Sequence, residues 1–368
     1  MERRFVGATD PKGQAKRGLA AVILAAGRST RMKTELPKVM HEVCGRPMLA
    51  YVVDACRGAD IDKFLIVVGF AKDAIISAFS EEHGVQIIEQ AQQKGTGHAV
   101  MMCADALRDF HGDCVVIAGD MPLVRSETLL DLVGSHRAAC AAASLATTEL
   151  DDPTGYGRIV RNADGEFERI VEHRDCTPEQ LRVREVNPSY YCFDAQSLLA
   201  ALPKLKSDNA KGEFYITDVL EILRRDGKTV RATTRLPAID ATGINSRAEL
   251  ASVSDMMRTR ICNHWMDNGV TIADPATTWI DSRARIGTDT IIRPFSYVEG
   301  RARIGAGCSI GPYAYIADGA LVADGSSVGP GVLTALDAAG DRRANVTTNK
   351  KLVQVVRRPP TPSSARMS

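Results

Sequence analysis

Short apolar runs alternate with amphipathic stretches from Leu19 onward. Four runs have the length of buried strands: AVILA (21–25), FLIVVG (64–69), VQIIEQ (85–90) and CVVIAGD (114–120). Between them, apolar residues recur at three- and four-residue spacing, which predicts helices near 47–58, 71–82, 96–109 and 126–137. This alternation is typical of βα units around a mainly parallel sheet, so the pattern predicts a doubly wound α/β domain.

Residues 141–240 mix strand-like and helical patterns, and we expect them to complete the same domain over its binding face. The strand-like segments are ASLATT (143–148), GRIVRN (157–162), ERIVEH (168–173) and VNPSYYCF (186–193), with a helix near 216–225. Farther on, apolar residues at helical spacing predict one long connecting helix over 246–268.

A strict six-residue period replaces these patterns after the long helix. Its apolar positions are Ile280, Ile286, Ile292, Val298, Ile304, Ile310, Ile316, Val322 and Val328. Glycine directly follows four of them, as tight corners require. Such a period is typical of a hexapeptide parallel β-helix, here of about three turns.

These patterns predict five segments along the chain. They are a disordered N-terminal extension (1–18), an α/β domain (19–245), a connecting helix (246–269), a β-helix (270–334) and a poorly ordered tail (335–368).

Composition narrows the classes of function. Lys and Arg total 46 against 45 Asp and Glu, so nucleic acid and anionic membrane are poor candidates as main partners. The nine cysteines form no C-x-x-C pair, which argues against a zinc site or a disulfide framework. The sequence shows no signal peptide and no apolar run of membrane-spanning length. We therefore expect a cytoplasmic protein that does not insert into membranes.

Because ligands of open α/β sheets bind at the carboxyl ends of the strands, the residues after each strand are the candidates for chemistry. Strand one is followed by a turn of small residues with Arg28 and Arg31, and then by Lys38. Its backbone N–H groups could bind phosphates while the basic side chains neutralise charge. A structural turn with solvated arginines is the alternative.

The loop after the third run, QAQQKGTGH (90–98), supplies amides and a Gly-Thr-Gly turn. The side chains of Gln90 and Gln93 can both donate and accept, as the edge of a uracil ring requires. A polar loop with Thr96 as a helix cap is the alternative.

Asp120 stands at the tip of the fourth run. Since Mg²⁺ prefers one or two carboxylates together with phosphate oxygens and water, Asp120 is a candidate Mg²⁺ ligand. It could instead cap a helix, although Ser126 lies nearer to the predicted helix start.

Several further motifs complete a resemblance to a known family. They include LAAGRSTRM (24–32), LPKVMHEVCGRPML (36–49), EQAQQKGTGHA (89–99), AGDMPL (118–123), DDPTGYGRIV (151–160), IVEHRDC (170–176), VNPSYY (186–191), KGEFYITDV (211–219) and GINSRAEL (243–250). From about residue 19 to 330 the chain resembles the bacterial N-acetylglucosamine-1-phosphate uridyltransferases, which are usually fused to an acetyltransferase on a left-handed β-helix. The first motif alone would indicate only a sugar nucleotidyltransferase.

The resemblance implies a Rossmann-like nucleotidyltransferase domain with a mainly parallel sheet, followed by a short left-handed parallel β-helix. It implies transfer from UTP to N-acetylglucosamine 1-phosphate with Mg²⁺, and assembly as a homotrimer through the β-helix. It also assigns roles to residues, as follows. Arg31, Lys38 and Asp120 are catalytic; Leu24, Ala26, Gly27, Lys38, Gln90, Gln93, Gly95 and Thr96 bind the nucleotide; Gly157, Glu172, Asn187, Tyr215 and Thr217 bind the sugar; Asp120 and Asn245 hold Mg²⁺.

Three departures from the family pattern qualify these expectations. Ser29 stands where the family usually has glycine, and Pro-Ser rather than Thr-Gly follows Asn187. The hexapeptide pattern is shorter than in the bifunctional members, and the last histidine of the chain, His264, precedes it. We therefore predict that the chain lacks acetyltransferase activity.

The sequence leaves two alternatives open. One is a related nucleotidyltransferase that uses glucose 1-phosphate or another nucleotide. The other is a hexapeptide acyltransferase or an assembly scaffold, against which the missing histidine and the intact nucleotide motifs argue.

Overall fold

The structure, a computed structural model, describes residues 17–28, 30–329, 334–336 and 342–344. Residues 1–16 of the predicted N-terminal extension, and Ser29, lie outside the described residues. Residues 330–333 of the predicted β-helix and most of the predicted tail do as well. Residues 334–336 and 342–344 form two three-residue strands that pair antiparallel. The predicted domain boundaries stay predictions.

Strands and helices alternate through much of the chain up to Asp267. In chain order they are β1 (Gly18–Ala25), β2 (Glu42–Val43), β3 (Arg46–Pro47), α1 (Met48–Gly58), β4 (Lys63–Val68), α2 (Lys72–Phe79), β5 (Val85–Glu89), α3 (Thr96–Met101), α4 (Ala104–Leu107), β6 (Gly112–Ala118), α5 (Ser126–Ala138), β7 (Ala143–Glu149), β8 (Gly157–Arg161), β9 (Phe167–Val171), β10 (Glu185–Asp194), α6 (Ala195–Ala201), α7 (Thr217–Arg225), β11 (Val230–Thr233) and α8 (Arg247–Asp267).

Within the described residues, nine strands form one sheet in the order β11-β7-β10-β6-β1-β4-β5, with the β8–β9 hairpin attached to β10. Strands β1, β4, β5 and β6 are mutually parallel, whereas β10 runs antiparallel to β6 and β7. The predicted mainly parallel sheet is confirmed. The carboxyl ends of β1, β4, β5 and β6 therefore meet at one edge.

Both faces of the sheet are buried, which explains the uninterrupted apolar runs. Along β1, Ala21 and Ile23 pack into one core cluster while Ala20 and Val22 pack into another. Helices α1 and α5 contribute to the first cluster, and α3, α6 and α7 to the second.

The segment predicted as one helix over 96–109 consists of two, α3 and α4. The break lies at Cys103, whose N–H group donates to the carbonyl of Val100, three residues back, at 2.9 Å. A bond over three residues tightens the turn and ends the regular α-helix. Hydrophobic spacing does not reveal this change, since Val100, Cys103 and Leu107 stay buried.

The six-residue period forms two-residue strands stacked in parallel columns. These strands are β12 (Thr271–Ile272), β13 (Trp279–Ile280), β14 (Arg285–Ile286), β15 (Ile291–Ile292), β16 (Tyr297–Val298), β17 (Arg303–Ile304), β18 (Ser309–Ile310), β19 (Tyr315–Ile316), β20 (Leu321–Val322) and β21 (Ser327–Val328), with the isolated pair β22 (Thr334–Leu336) and β23 (Arg342–Ala344) beyond them. All nine period residues are buried. The predicted parallel β-helix is confirmed.

The contacts divide the chain into two compact units. One contains residues up to His41 and from Pro47 to Leu250; the other contains Glu42–Arg46 and the chain from Ala251 onward. In the second unit, Gly45 adopts a left-handed φ of 79°, and a Cβ there would lie 2.1 Å from an Asp281 carboxylate oxygen. Arg283 Nη2 donates to the Gly45 carbonyl at 2.9 Å. The 42–46 turn thus requires glycine for a close approach.

Replacing Ser189 by glycine should raise the free energy of unfolding by about 1 kcal/mol, since a non-glycine residue at left-handed φ is strained. Ser189 has a φ of 68° where β10 shifts its register against β7. Chemical denaturation measures the gain. The matched control, Ser189→Ala, keeps the strain and should gain nothing; a gain as large as that of glycine would contradict this explanation.

Candidate functional site

The loop after β1 presents open backbone next to basic side chains. Gly27 is exposed, and a Cβ at that position would meet no atom within 4 Å. The guanidinium of Arg28 lies 4.9 Å from the centre of the Phe70 ring. Arg31 is exposed and forms no ion pair with the residues that the structure describes. The loop can therefore offer N–H groups and positive charge to a phosphate chain.

Lys38, Asp120 and Asn245 meet at the edge where β1 and β6 end. The Lys38 ammonium forms a salt bridge with the Asp120 carboxylate and donates to Asn245 Oδ1 at 3.1 Å. The Lys38 and Asp120 side chains are only 15% and 17% exposed. Backbone bonds fix the arrangement, because Gly119 N donates to Leu24 O at 2.9 Å and Ile244 N to Asp120 O at 3.2 Å. Asp120 does not serve as a helix cap, because the next helix, α5, begins only at Ser126 and Arg125 is the residue before it.

This oxygen pair suits a hard divalent cation. Asp120 and Asn245 already direct their oxygens at one positive charge, the Lys38 ammonium, which stands in for such a cation. Among the described residues there is no group of three or more His, Cys, Asp or Glu that could hold a metal. Two protein oxygens without a full cage fit Mg²⁺, which takes its remaining ligands from phosphates and water.

The loop after β5 holds a buried amide in one orientation. Gln90 Nε2 lies 3.1 Å from the Gly95 carbonyl, to which it donates, and 3.0 Å from His98 Nδ1. Burial, assisted by the charge of Lys94, lowers the pKa of His98, so a neutral ring accepts at Nδ1. Both contacts use the amide nitrogen. Gln90 Oε1 consequently accepts no hydrogen bond from the described residues and can accept one from a ligand.

The neighbours of Gln90 explain the Gly-Thr-Gly turn. Gly95 has a φ of 104°, and a Cβ there would lie 2.5 Å from the Phe214 carbonyl. Thr96 Oγ1 accepts the N–H of Ile216 at 3.1 Å instead of capping α3. Gln93 lies next to Gly69, where an added Cβ would approach its Nε2 to 2.6 Å. The loops after β4 and β5 are therefore in contact.

A second group of predicted residues surrounds the β8–β9 hairpin. A Cβ on Gly157 would lie 2.9 Å from Ile170 Cγ2 and 3.6 Å from Glu172 Oε1, so glycine allows the close packing of β8 on Ile170 beside that carboxyl group. Burial raises the pKa of Glu172, against the opposing charge of Lys211. Asn187 is buried and donates from Nδ2 to the Tyr191 hydroxyl at 2.7 Å, while its Oδ1 accepts the N–H of Ser189 at 3.1 Å.

Glu172, Tyr215 and Thr217 line a cavity of about 440 Å³ that continues to Asp218 and Asp175. Thr217 is 5% exposed, and its Oγ1 is buried with no hydrogen-bond partner among the residues that the structure describes. Burial raises the pKa of Tyr215 to about 12. Burial together with the charge of Glu221 and other carboxylates raises the pKa of Asp218 to about 6. The cavity can therefore accept a polar ligand beside Glu172 and Tyr215.

The structure thus brings the predicted residues into three sets: phosphate and metal candidates around Lys38, nucleotide candidates around Gln90, and sugar candidates around Glu172. The roles assigned to them stay predictions. The sequence did not single out Asp218 in the cavity, nor Arg247 and Glu249 at the start of α8, which bond to the backbone of Met32 and Asn245. A signal for Glu249 was present, because Ser246 and Glu249 have the S-x-x-E spacing of a helix capping box. No sequence signal marks Asp218, since its altered pKa depends on burial among distant carboxylates.

Comparison with known families adds to this geometry. The family model described as the MobA-like NTP transferase domain matches residues 21–220, which is more than half of the chain. The chain belongs to the MobA-like NTP transferase family. It is a nucleotidyltransferase, as predicted. Models of the bacterial transferase hexapeptide match residues 283–318 and 301–335.

Curated relatives confirm the resemblance to the bifunctional bacterial proteins. The bifunctional protein GlmU of Pelotomaculum thermopropionicum is 46% identical over 278 residues, which are 76% of this chain and 60% of that protein. The protein of the same name from Geobacillus thermodenitrificans is 48% identical over 277 residues, 74% of this chain and 59% of that protein. The chain thus spans about three fifths of the length of these relatives.

The fold of this NTP transferase also matches a solved structure. A crystal structure of UDP-glucose pyrophosphorylase complexed with UDP-glucose aligns with a TM-score of 0.56 and 19% identity, covering 66% of this chain and 99% of that one. At this identity the match supports the fold alone. Among the helices that the structure describes, none is long and apolar enough to cross a bilayer.

Replacing Asp218 by asparagine should stabilise the protein at neutral pH. The gain should be much smaller near pH 4, which is about the pKa of an aspartate in the unfolded chain. A carboxyl group whose pKa is raised on folding holds its proton more tightly in the folded state. Its stabilising contribution is complete below the unfolded pKa and is lost as the pH rises through about 6. Thermal unfolding of Asp218→Asn across this range measures the effect. The exposed Asp73→Asn controls for net charge; equal gains of Asp218→Asn at low and neutral pH would refute the prediction.

Proposed function

We propose that this NTP transferase joins UTP to N-acetylglucosamine 1-phosphate and releases pyrophosphate. The proposal rests chiefly on one observation: the Asp120 carboxylate and the Asn245 amide oxygen converge on the Lys38 ammonium at the carboxyl ends of β1 and β6. Ligands of open α/β sheets bind at this edge. The relatives named GlmU and the motifs of the uridyltransferase family support the choice of substrates.

Asp120 and Asn245 would hold Mg²⁺ here. Bound at this place, Mg²⁺ would neutralise phosphate oxygens and help to align the two substrates. Arg31, which is exposed beside the loop, and Lys38 would neutralise the charge that develops on the triphosphate.

The reaction needs no general base, because the sugar phosphate oxygen is already an anionic nucleophile. That oxygen attacks the α-phosphorus in line and forms the new P–O bond. The bond from the α-phosphorus to the oxygen that bridges to the β-phosphate breaks, and pyrophosphate leaves with the electron pair. Positioning and charge neutralisation by the protein supply the rate.

Uridine recognition is assigned to the β1 and β5 loops. The free Gln90 Oε1 can accept the N3–H of uracil, which is a donor, whereas cytosine offers an acceptor at N3. Gln93 would pair with a second edge group. The remaining nucleotide contacts are assigned to Leu24, Ala26, Gly27, Gly95 and Thr96.

The sugar is assigned to the set around Glu172. The cavity lined by Glu172, Tyr215 and Thr217 offers polar groups that suit a hydroxyl-bearing ring. Because burial raises the pKa of Glu172, hydrogen bonds from sugar hydroxyls would compensate its carboxylate. Asn187 and Tyr215 complete the set.

We further propose that the β-helix drives assembly into a homotrimer. Its surface carries two aromatic stacks: Phe295 on Tyr313 at 4.9 Å and Tyr297 on Tyr315 at 5.7 Å between ring centroids. Phe295 and Tyr313 are more than half exposed, which favours burial against another copy.

The predicted lack of acetyltransferase activity stays a prediction.

Incubation with UTP, Mg²⁺ and a panel of sugar 1-phosphates tests the proposal. We expect pyrophosphate release to be fastest with N-acetylglucosamine 1-phosphate, because the sugar pocket and the family motifs point to it. CTP in place of UTP should release pyrophosphate far more slowly, because Gln90 presents an acceptor where cytosine also has an acceptor. Faster turnover with glucose 1-phosphate would replace the proposed sugar, and release with none of the panel would overturn the proposal.

Replacing Asp120 by alanine should lower kcat by about a hundredfold or more, as the loss of one charge-stabilising group does at other active sites. Circular dichroism should show an intact fold. Asp73→Asn, an exposed substitution on α2, serves as the control with unchanged kcat. Near-normal turnover of Asp120→Ala would remove Asp120 from the mechanism.

A further inference from the structure

Helix α8 begins with a capping box. Ser246 Oγ accepts the N–H of Glu249 at 3.2 Å, and Glu249 Oε2 accepts the N–H of Ser246 at 2.9 Å. These two reciprocal bonds satisfy N–H groups that the first turn of a helix leaves open. A capping box needs no other bond.

Glu249 nevertheless forms a third bond. The same oxygen, Oε2, accepts the N–H of Asn245 at 2.5 Å. Asn245 precedes the cap residue, so this bond contributes nothing to the helix ladder. It fixes the backbone of the residue whose side-chain oxygen lies on the Lys38 ammonium.

Two further bonds tie the start of α8 to the loops of the phosphate and metal candidates. Ile244 N donates to the carbonyl of Asp120 at 3.2 Å. Arg247 Nε donates to the carbonyl of Met32 at 3.1 Å, at the end of the loop that carries Arg31. The first turn of α8 therefore holds both candidate metal ligands and the phosphate loop in register.

We infer that Glu249 is a positioning residue for the metal site: its carboxylate orients Asn245 against Asp120 and so sets the affinity for the divalent cation. The inference rests on the proposed function in taking Asp120 and Asn245 as the metal ligands. Glu249 acts through the Asn245 backbone and need not touch the metal. Groups that orient metal ligands typically change metal affinity or activity by about 10–100-fold when removed.

Mn²⁺ binding provides a readout that does not depend on turnover. Free Mn²⁺ is followed by electron paramagnetic resonance during titration of the full chain in the presence of α,β-methylene-UTP. Glu249→Ala should weaken Mn²⁺ binding about tenfold, and the Mg²⁺ concentration for half-maximal pyrophosphate release should rise by the same factor. Glu249→Gln should stay within about twofold of the wild type, because glutamine supplies the same acceptor.

Ser246→Ala is the matched control for helix stability. It removes the other half of the capping box but leaves the bond between Glu249 and Asn245 intact. Its thermal midpoint should fall because the Ser246 hydroxyl no longer accepts the N–H of Glu249, while Mn²⁺ binding should stay within about twofold of the wild type. If Glu249→Ala does not fold, Glu249→Asp tests the inference instead. The shorter aspartate side chain cannot reach the Asn245 N–H, so this variant should also bind Mn²⁺ more weakly.

Unchanged Mn²⁺ binding in Glu249→Ala, or in Glu249→Asp where alanine does not fold, would overturn the inference. So would an equal loss in Ser246→Ala, which would reduce Glu249 to a helix cap. A wild type that releases no pyrophosphate with any sugar phosphate, but whose Mn²⁺ binding weakens in Glu249→Ala, would support the positioning role while ending the proposed function.

Discussion

The salt bridge between Lys38 and Asp120 is the contact on which the site depends. It joins residues 82 positions apart, and the Asn245 oxygen reaches the same ammonium from a position 207 residues after Lys38. The parallel pairing of β1 with β6 places Asp120 at the carboxyl end of the sheet, beside the loop that leads from β1 to Lys38. The bond from Ile244 N to Asp120 O then brings Asn245 to the same place.

The partial burial of this pair also explains how it can change partners. At equal distance a dication attracts a carboxylate twice as strongly as an ammonium does, and the low exposure of Asp120 limits screening by water. If Asp120 and Asn245 hold Mg²⁺ as proposed, the Lys38 ammonium would be available to a phosphate oxygen. Glu249 would hold Asn245 in place in either case, since its bond to the Asn245 backbone does not involve Lys38.

Much of this could be predicted from the sequence, for definable reasons. The buried strands and the β-helix are predictable because their apolar residues recur in runs or at a fixed spacing. Asp120 is predictable as a candidate because it is an acidic residue at the end of a buried strand. Other features depend on tertiary structure and leave no such mark. The break at Cys103 depends on its backbone bond to Val100, three residues back. The raised pKa of Asp218 arises from burial and from the carboxylates that the fold gathers around it. Glu249 lies between these cases, because its spacing from Ser246 predicts a cap but not the additional bond to Asn245.

The most direct test of the account is a crystal structure of the protein with α,β-methylene-UTP and Mn²⁺, analysed by anomalous scattering. The account predicts a manganese peak within coordination distance of an Asp120 carboxylate oxygen and Asn245 Oδ1, with the Lys38 ammonium moved onto a phosphate oxygen. A manganese peak elsewhere, with the salt bridge between Lys38 and Asp120 still intact beside the bound nucleotide, would contradict it.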